Sequence, residues 1–324
     1  MNSDTVMNSD CEERVSNICY LYCEAEGDSI AFEKALHYAV QQRAKLDIVA
    51  VLEEVPPVLL ERLAVLGADT DSLVGDEELA GTLEELAEMA RSQGVEASVN
   101  LLRGSAFPAI MQHVALHRNG LLVKVTQHVN LIHQVFFGHL DRQLIRKCPC
   151  PVWVENPAVW SKRGRVLAAV DPSPYALDSE QEAVRNALNV KVLERAISVA
   201  QAFQAELHVV HAWQFGLEAK LHGHIEFSEN LIEECIESVR LEHKHALSEL
   251  IAPYLGSITS THMLKGNAGE QISRLADEES IDLIVMGTLC RTGISGMLIG
   301  NTAETVLDQV SCSVIALKPP PAGG

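Results

Sequence analysis

Along the chain, short apolar runs alternate with longer stretches in which apolar positions recur every three to four residues. The first pattern marks a strand buried on both faces and the second an amphipathic helix. Their alternation predicts a parallel sheet covered by helices on both sides. In the second half the runs predict strands over 165–171, 206–212, 259–264, 281–287 and 312–317, joined by helices over 186–204, 229–252, 269–278 and 302–310. In the first half they predict strands over 17–23, 46–52, 97–102, 120–125 and 150–154, with helices over 29–43, 77–93, 106–117 and 139–147. The long helix near 229–252 carries Ser228 where an N-cap belongs and is expected to bury Ile232, Cys235, Ile236 and Val239.

The two halves are copies of one another. "LLRGSAFPAI" (101–110) answers "MLKGNAGEQI" (263–272), and the same spacing of 162 residues sets Thr126 on Thr288, Gly138 on Gly300, Cys150 on Cys312 and Val152 on Val314. Upstream, "LDIVAV" answers "LHVVHA" at 161 and "NICYLYC" answers "RVLAAVD" at 148, which places about thirteen extra residues after the first strand of the second copy. The copies meet in "ENPAVWSKRGR" (155–165), so two domains are expected, 1–157 and 158–324. The fold class is therefore α/β: two doubly wound, Rossmann-like, open parallel five-stranded sheets in tandem.

With 324 residues, 47% of them hydrophobic, the chain has core enough for both domains. Its net charge of −19, with no basic patch interleaved with aromatics, makes nucleic acid and anionic membranes poor partners. The polar opening "MNSDTVMNSD" lacks the features of an export signal, and no apolar run reaches the roughly 18 residues of a membrane span, so a cytoplasmic protein is expected. The eight cysteines are scattered and are expected to be reduced. Cys148 and Cys150 in "KCPCP" have no second Cys/His pair at zinc-site spacing, and the histidines (208, 211, 222, 224, 243, 245) show no visible convergence, so no metal site is expected.

Candidate chemistry gathers in the second copy, where ligands would settle at the carboxyl ends of the strands. Asp171 ends the first strand in "AAVDPSPYA", and "MGTLCRTGISGMLIGNTAETVL" (286–307) ends the fourth and runs into a helix at Gly300 and Asn301. Glycine lets a ligand approach the backbone, and the free N–H groups of a first helical turn favour an anion. The competing account is that Asn301 and Glu304 cap that turn themselves. Asp171 reads either as a ligand contact or as an Asx-turn residue before Pro172, and Val209 as a ligand contact or a core valine.

These residues resemble the universal stress protein family, and the two-copy layout resembles its tandem, E-type members. The resemblance implies an internal pseudo-dimer paired through the last strands, "CPVWVE" and "CSVIALK", and a stress-response role. It also implies an adenine nucleotide such as ATP as the ligand, with Asp171, Val209, Met286, Gly287, Cys290, Arg291, Gly300, Asn301 and Thr302 as the contacting set. The family's nucleotide binders carry Gly, two residues, Gly, nine residues, then Gly and Ser or Thr; here those positions are Gly287, Cys290, Gly300 and Asn301. Cys290 adds bulk and Asn301 removes a hydroxyl donor, a loss of about 1.5–3 kcal/mol per bond that weakens binding ten- to a hundredfold. In the first copy Cys23, Val125 and His128 replace Asp171, Gly287 and Cys290, so no nucleotide site is expected there, and Gly138 is read as a helix-entry glycine.

No catalytic signature is present, so the chain is expected to bind rather than turn over. The alternatives are slow ATP hydrolysis, a ligand-free scaffold, or an acyl-bearing ligand held by the apolar stretch "HVNLIHQVFFGHL" (128–140), which reads first as a hydrophobic cover sealing the junction between the copies. Cys290 reads as a redox-responsive thiol beside Arg291 or as a buried inert one, and "GLEAKLHGHIEF" (216–227) as a lid or an irregular connection. A small molecule is the expected partner, with a homodimer as a further option.

Overall fold

A computed structural model describes residues 14–52, 58, 62, 65, 66, 76–126, 137–157, 160, 161, 163–175, 179–222, 227–288 and 300–319. In the first half these form β1 (Asn17–Leu21), α1 (Asp28–Gln42), β2 (Lys45–Leu52), α2 (Asp76–Ser92), β3 (Ala97–Arg103), α3 (Ala106–His117), β4 (Leu121–Val125), α4 (His139–Lys147) and β5 (Val152–Glu155). The second half follows with β6 (Arg165–Ala169), α5 (Ser179–Phe203), β7 (Glu206–Trp213), α6 (Glu218–His222), α7 (Glu229–Ile251), β8 (Ser260–Lys265), α8 (Ala268–Glu278), β9 (Leu283–Gly287), α9 (Asn301–Gln309) and β10 (Ser313–Leu317).

The strands lie in the order β3-β2-β1-β4-β5-β10-β9-β6-β7-β8. Each half is parallel throughout and repeats the same winding. The expected five-stranded sheets are thus joined as one ten-stranded sheet through an antiparallel contact between β5 and β10, which sets Val154 against Val314 and Trp153 against Ile315. Period-two alternation sends Ile18 and Tyr20 of β1 to one core layer and Cys19 and Leu21 to the other. The first layer is filled from α1, α2, α5 and α7, the second from α3, α4, α8 and α9.

The repeat is written into the backbone as well. Arg43 and Gln204 close α1 and α5 with φ of 52°, and Arg118 and Ser280 follow α3 and α8 with φ of 50°, left-handed positions occupied without glycine in both copies. Gly104 and Gly266, which follow β3 and β8, share positive φ too.

Across the junction, Tyr38 of α1 meets Ser198 of α5 (2.9 Å) and accepts a hydrogen bond from Arg195 (3.1 Å), while Trp153 packs edge-on against Tyr38 and Phe203. Arg142 and Arg146 of α4 pair with Asp308 and Glu304 of α9, each at 2.6 Å. The wholly buried Glu155 pairs with Lys34 and accepts from Trp153 Nε1 (2.8 Å).

Two expectations need correction. Helix α5 begins at Ser179, not near 186, because its first two turns are polar and mostly exposed and so carry no apolar period. On α7, Ser228 does cap the helix, accepting from Leu231 N (3.3 Å), but the buried stripe is Ile232, His243, Leu247 and Ile251. Cys235, Ile236 and Val239 are only half-buried, on the flank of that stripe.

Candidate functional site

In the second half the chain leaves β6 for β7 on one side and returns to β9 on the other. The carboxyl ends of β6 and β9 therefore lie where the strand order reverses, the place at which such sheets hold a ligand. Val170 N donates to Val210 O (3.0 Å), and the chain then turns at Asp171. Asn189, buried on α5, holds that turn from both sides: its Oδ1 accepts from Asp171 N (2.9 Å) and its Nδ2 donates to Asp171 O (3.0 Å). The register of Ala169 against Met286 brings Asp171 and Gly287 to one rim. Met286 itself is buried in the core.

Gly287 has a packing reason to be glycine, since a Cβ there would come within 2.5 Å of Leu188 Cδ2. Helix α9 runs back against the strands, so its first turn faces the same rim. Its N-cap is Gly300, which is buried and extended and has no side chain to offer; Asn301 and Thr302 are exposed. The capping account of Asn301 is corrected accordingly: Asn301 is the first residue inside the helix, its carbonyl accepting from Thr305 Oγ1 (2.9 Å), while Glu304 reaches Arg146 on the other half.

Val209 is not brought to the rim. It pairs with Ala168 and Thr261 in the middle of the sheet and is wholly buried, about 10 Å below the level of Asp171 at roughly 3.3 Å per residue. The strand continues to Trp213, so the rim residues on its helix-α7 side are His211 and Trp213. Cys290 and Arg291 lie outside the described residues, as do 223–226 of the lid segment, whose described part includes the short helix α6. The apolar stretch falls outside them up to 136, leaving Phe137 packed in the core.

Sequence reasoning missed how the histidines work together. His211 Nδ1 lies 3.2 Å from Val170 O, and His211 Nε2 lies 2.9 Å from His243 Nδ1. A carbonyl only accepts, so His211 carries its proton on Nδ1, His243 donates from Nδ1, and His243 Nε2 is left as an acceptor. That nitrogen is buried and has no hydrogen-bond partner. Burial, and then His211, hold the His243 pKa below the usual histidine value, against the opposing pull of Asp171 and Glu242. Tyr175 and Trp213 wall the imidazole at 5.7 and 5.8 Å between ring centres, and Tyr175 Oη donates to Glu242 (2.6 Å). The signal was available in the i+4 series of positions 243, 247 and 251, which puts a histidine on a buried stripe.

Beside Pro172, Ser173 and Pro174 a cavity of about 530 Å³ opens toward α7, and Glu182, Glu242 and Glu249 line it. Its carboxylates disfavour a polyanion.

The first half closes the matching place with its own charges. Lys124 and Asp141, which answer Met286 and Ala303, form a wholly buried ion pair. Asp141 also accepts from Gly138 N (2.8 Å) and Thr126 Oγ1 (3.2 Å), so a carboxylate of the chain stands at the entry of α4 where an anion would sit, and Gly138 is that helix's N-cap.

The sequence profile of the Universal stress protein family matches residues 18–155 and again 162–318. The chain belongs to the universal stress protein family. It is 31% identical over 229 residues to Universal stress protein E of Photorhabdus laumondii, a match covering 70% of each chain, and 32% identical over 239 residues to Universal stress protein E of Escherichia coli K12, covering 73% of each. Among solved structures, a functionally unknown protein of Pseudomonas aeruginosa PAO1 superposes with a TM-score of 0.72 at 25% identity, over 94% of this chain and 93% of that one. A universal stress protein of Archaeoglobus fulgidus shares the fold, with a TM-score of 0.58 at 16% identity over 93% and 98% of the two chains. The tandem arrangement of two universal stress domains is therefore shown, and the β5–β10 contact joins them within one chain. No described helix is long and apolar enough to cross a membrane.

Proposed function

We propose that this universal stress protein is a cytoplasmic stress-response binding and regulatory protein whose second domain, 158–324, takes an adenine-nucleotide-type ligand weakly and without turnover. The observation that carries this reading is the contrast between two equivalent rims. In the first half Asp141 fills the helix entry and Lys124 neutralises it. In the second half the same two positions are Met286 and Ala303, and the entry of α9 is capped by a bare glycine.

In this reading the ligand's anionic end meets the first turn of α9 at Gly300, Asn301 and Thr302, and its sugar meets Asp171. The Asn189 bonds that hold the Asp171 turn support that role. The unpartnered His243 Nε2, between Tyr175 and Trp213, supplies an acceptor and two ring faces for a flat donor-bearing group. The acidic cavity next to the rim and the asparagine at position 301 both favour weak binding of a highly charged phosphate chain. Among the described residues, the one group with metal-ligand geometry lies in the first half, away from this rim.

Isothermal titration of the full chain with ATP, AMP and cAMP tests the proposal. The expected result is submillimolar to millimolar binding of one molecule per chain, weakened at least tenfold in Asp171→Ala, with no phosphate released. Lack of binding by all three at several millimolar overturns the reading, and metal-dependent phosphate release lost in Asp171→Ala replaces it with the ATPase alternative.

A further inference from the structure

The first half holds a second polar cluster, on the opposite side of the sheet from the His243 wall and buried beneath helix α3. Cys19 of β1 and Asp47 of β2 are direct partners in the parallel register, and His113 of α3 lies over them. All three are at most 5% exposed, and a ligand atom of each (Sγ, a carboxylate oxygen, a ring nitrogen) lies within 4.8 Å of the others. His113 Nε2 is 2.6 Å from Asp47 Oδ2.

Around this triad stands a shell of donors. Ser98 Oγ (3.1 Å) and Asn100 Nδ2 (2.7 Å) of β3 donate to Asp47 Oδ1, and Asn119 Nδ2 approaches Asp47 Oδ2 at 3.4 Å. Asn119 is 5% exposed, and its Oδ1 is buried with no hydrogen-bond partner. The amide nitrogen is the end turned toward Asp47, so a half-turn of the amide brings the unused Oδ1 to the cluster as an acceptor for an electrophile.

The second half serves as an internal control. At the equivalent positions stand Leu167, His208, Leu275 and Ile281, so a leucine and an isoleucine pack α8 onto the sheet where the first half has a histidine and an asparagine, and a leucine replaces the thiol. The fold does not need the whole of this polar group. Burying a thiol, an imidazole and an amide has a cost that Leu167, Leu275 and Ile281 avoid, while His208, 3.2 Å from His262, is the polar residue that stands where Asp47 does.

We propose that Cys19, Asp47 and His113 form a transition-metal site, with Asn119 Oδ1 as the fourth ligand, suited to Zn²⁺ or a similarly borderline dication. The mixed sulfur, oxygen and nitrogen donor set fits such an ion, and four ligands fit its tetrahedral preference. One thiolate and one carboxylate balance the two positive charges, so the occupied site is neutral and can remain buried. Ser98 and Asn100 then orient the carboxylate from outside the ligand set. A dication beside the sulfur would take it as thiolate. The metal would tie α3 to β1 and β2, which Leu167, Leu275 and Ile281 achieve by packing in the other half. Spacing along the chain hides the site, because Asp47 and His113 are 66 residues apart.

The test is titration of the reduced, full-length chain with Zn²⁺ and Co²⁺ against a chromophoric chelator. One metal per chain and a thiolate-to-cobalt charge-transfer band are expected, with affinity falling about a hundredfold or more in Cys19→Val and about ten- to a hundredfold in Asn119→Ala. If Cys19→Val fails to fold, His113→Gln decides the same question, and Zn²⁺ should raise the melting temperature of the wild type but not of that variant. Absence of metal uptake overturns the proposal. So does a cobalt–thiolate band that survives Cys19→Val and disappears in Cys148→Ala, which would assign the metal to the Cys148/Cys150 pair, whose sulfurs are 3.5 Å apart.

Discussion

Replacing Lys124 by methionine and Asp141 by alanine gives the first half the residues that the second half carries at those places, Met286 and Ala303. Each single change leaves a charge in a fully buried position. Lys124→Met strands Asp141 with two neutral donors, Gly138 N and Thr126 Oγ1, and Asp141→Ala strands the Lys124 ammonium with the Val125 carbonyl. Breaking one side of a buried pair costs about 3–5 kcal/mol, a large part of the 5–15 kcal/mol that holds an ordinary domain together. The double variant removes both charges of the pair. What remains is the unmet hydrogen bonding of Gly138 N and Thr126, about 1–3 kcal/mol. The double variant is therefore expected to be more stable than either single one, with a coupling energy of at least about 3 kcal/mol in a double-mutant cycle. Urea unfolding followed by tryptophan fluorescence measures it, since Trp153 sits in the adjoining strand β5. Additive losses would refute the view that the pair acts as one buried unit equivalent to an apolar pair.

Two further outcomes follow from the same structure. His208 and His243 both have pKa values held below the usual histidine value, chiefly by burial, so they resist protonation when folded and accept it when unfolded. The unfolded chain binds more protons as pH falls below about 6.5, so stability should drop from there toward the lower folded values, and a melting series from pH 7.5 to 5.5 should be flatter in His243→Gln; an identical slope would remove His243 from the account. Ser280, left-handed at φ 50° after α8, should become more favourable as glycine, so Ser280→Gly is expected to stabilise by about 0.5–1 kcal/mol in urea unfolding, whereas a loss of stability would show that its side chain is needed.

The sheet was legible because each strand is a run of apolar residues with no competing period, and the duplication let one copy check the other. Strand ends came within about two residues throughout. What escaped was chemistry made by partners distant in the chain: Asn189 against Asp171 is 18 residues away, and His243 against His211 is 32. A lysine in the middle of "LLVKV" could be placed on a strand, but nothing in that stretch says that Asp141 waits for it. Val209 was matched by resemblance to the rim, while its register with Ala168 and Thr261 holds it deep in the sheet. The start of α5 was lost because a helix turn lying against water has no apolar rhythm to detect.

The antiparallel seam between β5 and β10 has a consequence for how the two pockets can differ. In an association of two identical chains, every substitution is made twice, and a pocket cannot be given up on one side alone. Fusing the copies separates those fates while the seam keeps them permanently in register, at a local concentration that dilution cannot lower. One copy is thereby free to place a sealed ion pair at its helix entry, as Lys124 and Asp141 do, and serve as a rigid brace for a neighbour that carries Met286 and Ala303 there instead.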